Sequence, residues 1–177
     1  ALLSRGLGDV YKRQGIPAAW TILGLSAIPT DHPSNRGMVG MHGNYAPNLL
    51  TNECDLLIAI GMRFDDRVTG DLSKYAKQAK IIHLELDPAE VDKNVKVDVA
   101  LLSDCKITLK ELNNRISAKT YPEWIARFEA LDKIENDKVI HSDLFPTKEG
   151  LTMGESIEMI NKYSNNDAII VTDVGQH

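Results

Sequence analysis

The run Asp55-Leu-Leu-Ile-Ala-Ile-Gly-Met-Arg-Phe-Asp-Asp-Arg-Val-Thr-Gly70 constrains this chain more than any other part of it. Its first half, Leu56–Ile60, is continuously apolar, the pattern of a short strand buried on both faces of a parallel sheet. Its second half turns abruptly to glycine and paired opposite charges. In open α/β sheets, ligands sit just beyond the carboxyl ends of the strands, where this break in polarity falls. Gly61 permits close approach of the backbone to a ligand. Arg63 and Arg67 suit phosphate or ring oxygens, while Asp65 and Asp66 suit ribose hydroxyls, ring nitrogens or the arginines. A surface turn with a local salt bridge is the plainer reading of the same residues.

Around this run the pattern alternates strand and helix from Gly15 onward. Ile16–Ile22 reads as a strand, followed by a Gly- and Pro-rich loop from Gly24 to Gly43. A short helix is expected over Pro47–Glu53, the strand Leu56–Ile60 follows, and Asp71–Gln78 reads as a weak helix. Lys80–Leu86 is another strand, stopped at Asp87-Pro88 because proline cannot donate to a ladder. A short extended piece is expected near Val95–Val99. Such alternation predicts an α/β fold with a doubly wound parallel sheet, Rossmann-like in kind.

The second half reads as helical. Leu109, Leu112 and Ile116 form one apolar stripe behind the start signal Ser103-Asp104. Trp124, Phe128, Leu131 and Ile134 form another, with Pro122 near the first helical position. Thr152 and Glu155 have capping-box spacing ahead of Met153, Ile157, Ile160 and Tyr163. The polar stretch Asn136–Gly150 lies between these helices as a connector and candidate domain boundary. An apolar strand is expected from Ala168 toward Asp173.

Composition excludes several classes. The apolar fraction of 43% supports a real core, and no apolar run approaches the ~20 residues of a membrane span. A net charge of −5, with no basic stretch interleaved with aromatics, argues against nucleic acid as a partner. Cys54 and Cys105 stand alone without a CxxC pair, which points to a reducing compartment, by default the cytoplasm, and away from a metal site. Residues 1–14 carry Arg5, Lys12 and Arg13 against Asp9, have no long apolar region, and resemble translated adapter sequence. They are read as a non-native tail, and both ends of the chain are expected to be cut.

Four further clusters carry possible chemistry. Gly37-Met-Val-Gly-Met-His-Gly43 places three glycines in seven residues, with His42 offering a donor and an acceptor to a flat polar group; a flexible surface loop is the alternative. Glu85, ending a strand, suits a ribose hydroxyl, or is a solvated terminus. Asp104 suits the same edge, or is a helix N-cap. Val174, Gly175, Gln176 and His177 close a strand with groups able to bind a diphosphate. His32, before Pro33, reads as a turn residue. Neither GxGxxG nor a Walker loop is present, so the ordinary hydride- and phosphoryl-transfer fingerprints are absent.

GLSAIPTDHP, GMVGMHG, DLLIAIGMRFDDRVTG, IIHLELDPAEVDKN and the terminal VTDVGQH resemble, in this order, segments of acetohydroxyacid synthase (acetolactate synthase) large subunits. The resemblance covers about Gly15 to His177, and RFDDRVTG is its most specific part. It implies an FAD-binding central domain over residues 15–135 lacking its first strand, a linker over 136–150, and the start of the diphosphate-binding domain over 151–177. It implies FAD contacts at Thr21, Ile22, Met41, His42, Gly43, Gly61, Arg63, Asp65, Arg67, Val68, Glu85 and Asp104, with Asp66 beside them near the substrate channel. Val174, Gly175, Gln176 and His177 resemble residues that touch the phosphates of thiamine diphosphate.

The implied activity condenses two pyruvates, or pyruvate with 2-oxobutanoate, with loss of CO2, in branched-chain amino-acid biosynthesis. FAD has no net redox role there, and the thiazolium of thiamine diphosphate is the electron sink. The activating glutamate and the magnesium ligands are expected outside this chain, so no residue here is catalytic and the chain alone is expected to be inactive. A homodimer or tetramer with a small regulatory subunit is the implied assembly. Three departures from the family pattern stand out: Ser103 in place of glycine, Glu85 in place of a frequent aspartate, and Trp20 in place of a small polar residue. The competing readings are another thiamine-diphosphate enzyme, such as a pyruvate oxidase, glyoxylate carboligase or oxalyl-CoA decarboxylase, and a stand-alone nucleotide-binding module.

Overall fold

The computed structural model describes residues 15–145, 149–165 and 167–171. Two compact units divide the chain between Ala130 and Leu131. In the first unit all strand pairing is parallel, as the alternation of strand and helix predicts, but the strands form two sheets. Strands β1 (Ala18–Trp20) and β2 (Asn35–Met38) make a pair. Strands β3 (Leu56–Ile60), β4 (Lys80–Glu85) and β5 (Val99–Leu102) make a three-stranded sheet in the order β3-β4-β5. Helices or turns intervene between consecutive strands of that sheet, so this is an α/β fold.

Strand β4 is central and carries the core. Ile81, His83, Leu84 and Glu85 are all buried, and Leu84 is fully enclosed. Beneath it, Ala59, Phe64, Tyr75, Ala76 and Ile81 form one apolar cluster, with Val95 and Val97 packed against it. Phe64 and Tyr75 meet edge-on with ring centroids 6.2 Å apart, a favoured geometry for aromatic quadrupoles.

Several local expectations need correction. The strand read as Ile16–Ile22 is only Ala18–Trp20, and Ile22–Gly24 is a 3-10 turn. The loop from Gly24 to Gly43 contains β2, a strand of low intrinsic propensity. Tertiary bonds hold it: Ser34 O accepts from Ala18 N at 2.8 Å, Val39 N donates to Trp20 O at 2.9 Å, and Trp20 Nε1 donates to Asn35 Oδ1 at 3.2 Å. Helix α1 (Tyr45–Leu50) starts two residues before the expected Pro47.

Residues 71–78 form turns, not a helix. Ala76 lies at φ 45, and its N–H donates to Asn52 Oδ1 at 2.8 Å, outside any helical ladder. The helix forms earlier, as α2 (Asp66–Thr69), because Asp65 caps it by accepting from Arg67 N at 3.1 Å. The extended piece expected near Val95–Val99 begins only at Val99. Asp92 accepts from Val97 N, and Asp98 brackets Ile81 by accepting from its N at 2.8 Å and donating to its O at 2.9 Å. The β5 ladder therefore starts after Asp98.

Helix α3 (Cys105–Arg115) begins at its expected cap and buries Leu109. Helix α4 (Pro122–Glu135) starts on proline and buries Phe128, which meets Trp124 edge-on. Within the stretch expected as a polar connector, Asn136–Ile140 is a π-helical turn leading into α5 (His141–Leu144). Helix α6 (Met153–Tyr163) has the full capping box: Glu155 N donates to Thr152 Oγ1 at 3.1 Å, and Thr152 N donates to Glu155 Oε2 at 2.9 Å. Residues 168–171 are not in a strand, because none of the described residues supplies a ladder partner. Among the described residues, no helix is long and apolar enough to cross a membrane.

Candidate functional site

Because β3, β4 and β5 are adjacent and parallel, their carboxyl ends lie on one edge. That edge presents Gly61, Arg63 and Asp65 after β3, Glu85 at the end of β4, and Asp104 after β5. Gly61 has φ 59, and nothing lies within 4 Å of where its Cβ would stand. The backbone there is in a conformation that favours glycine and faces open space, which is what close approach of a ligand requires. Arg63 is exposed and lies 3.9 Å from Asp65 Oδ2, a loose pair that leaves the guanidinium donors accessible.

The loop after β3 is held from below and from the side. Buried His83 donates through Nε2 to Met62 O at 2.9 Å, and its ring meets Phe64 edge-on at 5.1 Å. Because a carbonyl only accepts, Nε2 carries the proton. The other ring nitrogen, Nδ1, is buried without a hydrogen-bond partner. Asn94 Nδ2 donates to Arg63 O at 3.3 Å and Phe64 O at 3.1 Å. Those bonds support Phe64 at φ 52, a strained angle for a bulky residue.

Glu85 is not a solvated terminus; it is 9% exposed. Its Oε1 accepts from Leu86 N at 2.8 Å and Asp87 N at 3.2 Å, while Oε2 lies 3.7 Å from His83 Nε2. Asp104 is an N-cap, accepting from Lys106 N at 2.9 Å and Ile107 N at 3.3 Å. One of its oxygens is therefore committed to the helix.

A second part of the site forms where the glycine loop meets α2. Met41 N donates to Arg67 O at 2.7 Å. Between them lies a cavity of about 340 Å³ lined by both segments, Met41, Asp66, Arg67 and Val68 among them. The cavity thus unites three residues the sequence marks as contacts, Met41, Arg67 and Val68, with Asp66. His42 and Gly43 sit next along the same loop. Gly43 is required sterically, because a Cβ there would stand 2.4 Å from Met38 O. Thr21 and Ile22 follow β1, at the carboxyl end of the other sheet. Val174, Gly175, Gln176 and His177 lie outside the described residues.

Sequence reasoning missed the residues that hold these loops: His83, Asn94, Asn44, Asn48 and, on the cavity wall, Tyr75. Burial raises the Tyr75 phenol well above its ordinary range, so it is a neutral wall group. Burial also raises Cys54 and Cys105, so neither is an activated thiolate. No group of three or more metal-ligating side chains is gathered among the described residues.

Residues 4–112 match the model of the family described as thiamine pyrophosphate enzyme, central domain. The chain belongs to the thiamine pyrophosphate enzymes. Within that family it is similar to proteins named as acetolactate synthase large subunits. It is 41% identical to the probable acetolactate synthase large subunit of Methanocaldococcus jannaschii, over 92% of this chain and 28% of that protein. It is 40% identical to the acetolactate synthase large subunit of Lactococcus lactis, over 97% of this chain and 30% of that protein. Acetolactate synthase 1, chloroplastic, of Oryza sativa is 37% identical over 92% of this chain and 26% of its own length. The chain thus spans less than a third of the curated relatives it matches, and the resemblance expected from the motifs extends over most of its residues.

Proposed function

We propose that this chain is the flavin-binding centre of an acetolactate synthase large subunit. On this reading it binds FAD structurally, and residues 151–177 begin the thiamine-diphosphate site. The parent enzyme condenses two pyruvates, or pyruvate with 2-oxobutanoate, with loss of CO2. Thiamine diphosphate supplies the electron sink for that reaction when bound. Magnesium, the homo-oligomer, the small regulatory subunit and the cytoplasmic location belong to the same proposal.

The observation that carries it is the Met41–Arg67 junction at the ends of parallel strands. There the glycine loop and α2 line an open cavity of about 340 Å³, within the size range of small-ligand sites. The donor set fits a dinucleotide. Gly61 leaves space for close backbone approach, Arg63 and Arg67 are exposed cations suited to diphosphate oxygens, and buried Glu85 suits a ribose hydroxyl. Arg67 lines the cavity, and His42 follows Met41 on the glycine loop beside it.

The test is flavin content. The intact protein should purify with FAD visible in its absorbance spectrum, and Arg67→Ala and His42→Ala should each lower occupancy under matched dialysis. Loss of one charge-assisted contact predicts roughly tenfold weaker binding. Stoichiometric flavin in both variants would remove the site assignment.

A further inference from the structure

Helix α1 carries an asparagine that engages both polar groups of one backbone unit in the glycine loop. Gly40 N donates to Asn48 Oδ1 at 2.9 Å, and Asn48 Nδ2 donates to Gly40 O at 2.9 Å. A primary amide carries the acceptor and the donor needed to pair with the backbone N–H and C=O of one residue. The orientation of the amide is settled by the network, because a backbone N–H only donates and a carbonyl only accepts. One turn earlier, Asn44 does related work. Met38 N donates to Asn44 Oδ1 at 2.9 Å, and Asn44 N donates to Met38 O at 2.8 Å.

The position held this way is unusual. Gly40 has φ 112, and a Cβ there would lie 2.9 Å from Arg67 O. The next residue, Met41, donates its N–H to that same Arg67 oxygen. The bond pattern therefore runs from Asn48 through Gly40 to the backbone of Arg67, and Asn48 itself lines the cavity with Met41 and Arg67. Without the asparagine, Gly40 keeps only its turn bond from Gly43 N, and its own N–H loses its partner.

We propose that Asn48 is a positioning residue of the cofactor site, clamping Gly40 so that Met41 is held against Arg67 and the loop that continues into His42 is fixed. This rests on the flavin-site reading above. The clamp sets geometry through backbone bonds, with both polar atoms of its amide engaged by Gly40, so its effect passes to the ligand through the loop.

The test uses the intact protein with Asn48→Ala, Asn48→Asp and the control Leu109→Val, a buried change on α3 away from the cavity. Two readouts are needed: amide hydrogen exchange of the peptide covering 37–43, and FAD affinity from quenching of flavin fluorescence. Loss of the paired bonds predicts exchange at Gly40 and Met41 faster by about tenfold or more, with and without FAD, in both Asn48 variants. FAD affinity should fall by about tenfold in both. Asn48→Asp should not rescue, since an isosteric carboxylate keeps the acceptor for Gly40 N but sets an acceptor against Gly40 O. Leu109→Val should melt at a lower temperature yet keep its FAD affinity.

Unchanged exchange over 37–43 would overturn the clamp. Accelerated exchange with unaltered FAD affinity would overturn the positioning role while leaving the flavin reading intact. Rescue by Asn48→Asp would reduce the residue to space filling and overturn the proposal. Absence of FAD binding in the unsubstituted protein would overturn the flavin reading, and the positioning role with it.

Discussion

Single side chains here act mostly by answering backbone groups. Asp98 is the clearest case for measurement. The hydrogen bond from Ile81 N, and then the one from Lys80, hold its carboxyl below the ordinary 3.8. A carboxyl depressed in the folded state contributes stability above its unfolded pKa, and that contribution is lost as pH falls through the folded value. Asp98→Ala should therefore melt below the parent at neutral pH, and the gap should close only below about pH 4. Melting temperatures from pH 7 to pH 2 check this, and a gap that stays constant would exclude the carboxylate charge as its source. Asp98 was not singled out from the sequence, because its partner Ile81 lies 17 residues away. The same blindness covers His83, Asn44, Asn48 and Asn94. An asparagine or a histidine in a string of residues does not state which carbonyl it will meet.

Helices and strands were legible where hydrophobic period and cap chemistry agreed. Strand β3 has the expected bounds, α3 follows the cap Asp104, and α6 follows the Thr152–Glu155 box. Asp104 is also a candidate cofactor contact, and substitution separates the two roles. Asp104→Ala should cost about 1 kcal/mol of stability, whereas Asp104→Asn keeps the cap and should lose little. Urea unfolding of both variants checks the cap. Loss of FAD affinity in Asp104→Asn without loss of stability would identify a second role for the carboxylate. Elements were misread where a tertiary partner overruled local pattern. Strand β2 is polar and contains Gly37, yet pairing with β1 makes it a strand. Residues 71–78 have helical composition, yet Asn52 takes the Ala76 N–H and the chain turns. Val95, Val97 and Val99 alternate like a strand, yet the side chains of Asp92 and Asp98 delay the ladder.

Across the whole molecule, burial is uneven. The enclosed side chains all precede Leu131, and among the described residues of the second unit none is buried. Strand β4 is flanked on both edges and sits over the apolar cluster. Amide exchange of the 177-residue chain should therefore be slowest over Ile81–Leu84 and far faster over Met153–Tyr163. Equal protection of the two segments would mean that the described packing does not govern local stability. The amphipathic face of α6 leaves Ile157 and Ile160 exposed.

Taken alone, the sequence determined the α/β class, the parallel strand run and its polarity break, the starts of α3, α4 and α6, and membership in a thiamine enzyme family. Those depend on period, composition and short motifs, which are local and survive without knowledge of the partner. The tertiary structure alone decided that β2 exists, that Glu85 is buried, and that Met41, Arg67 and Val68 share one cavity. It also decided which asparagines hold the loops. Each of those depends on a hydrogen bond or packing contact between residues distant in the chain, and only the folded backbone brings such pairs within reach.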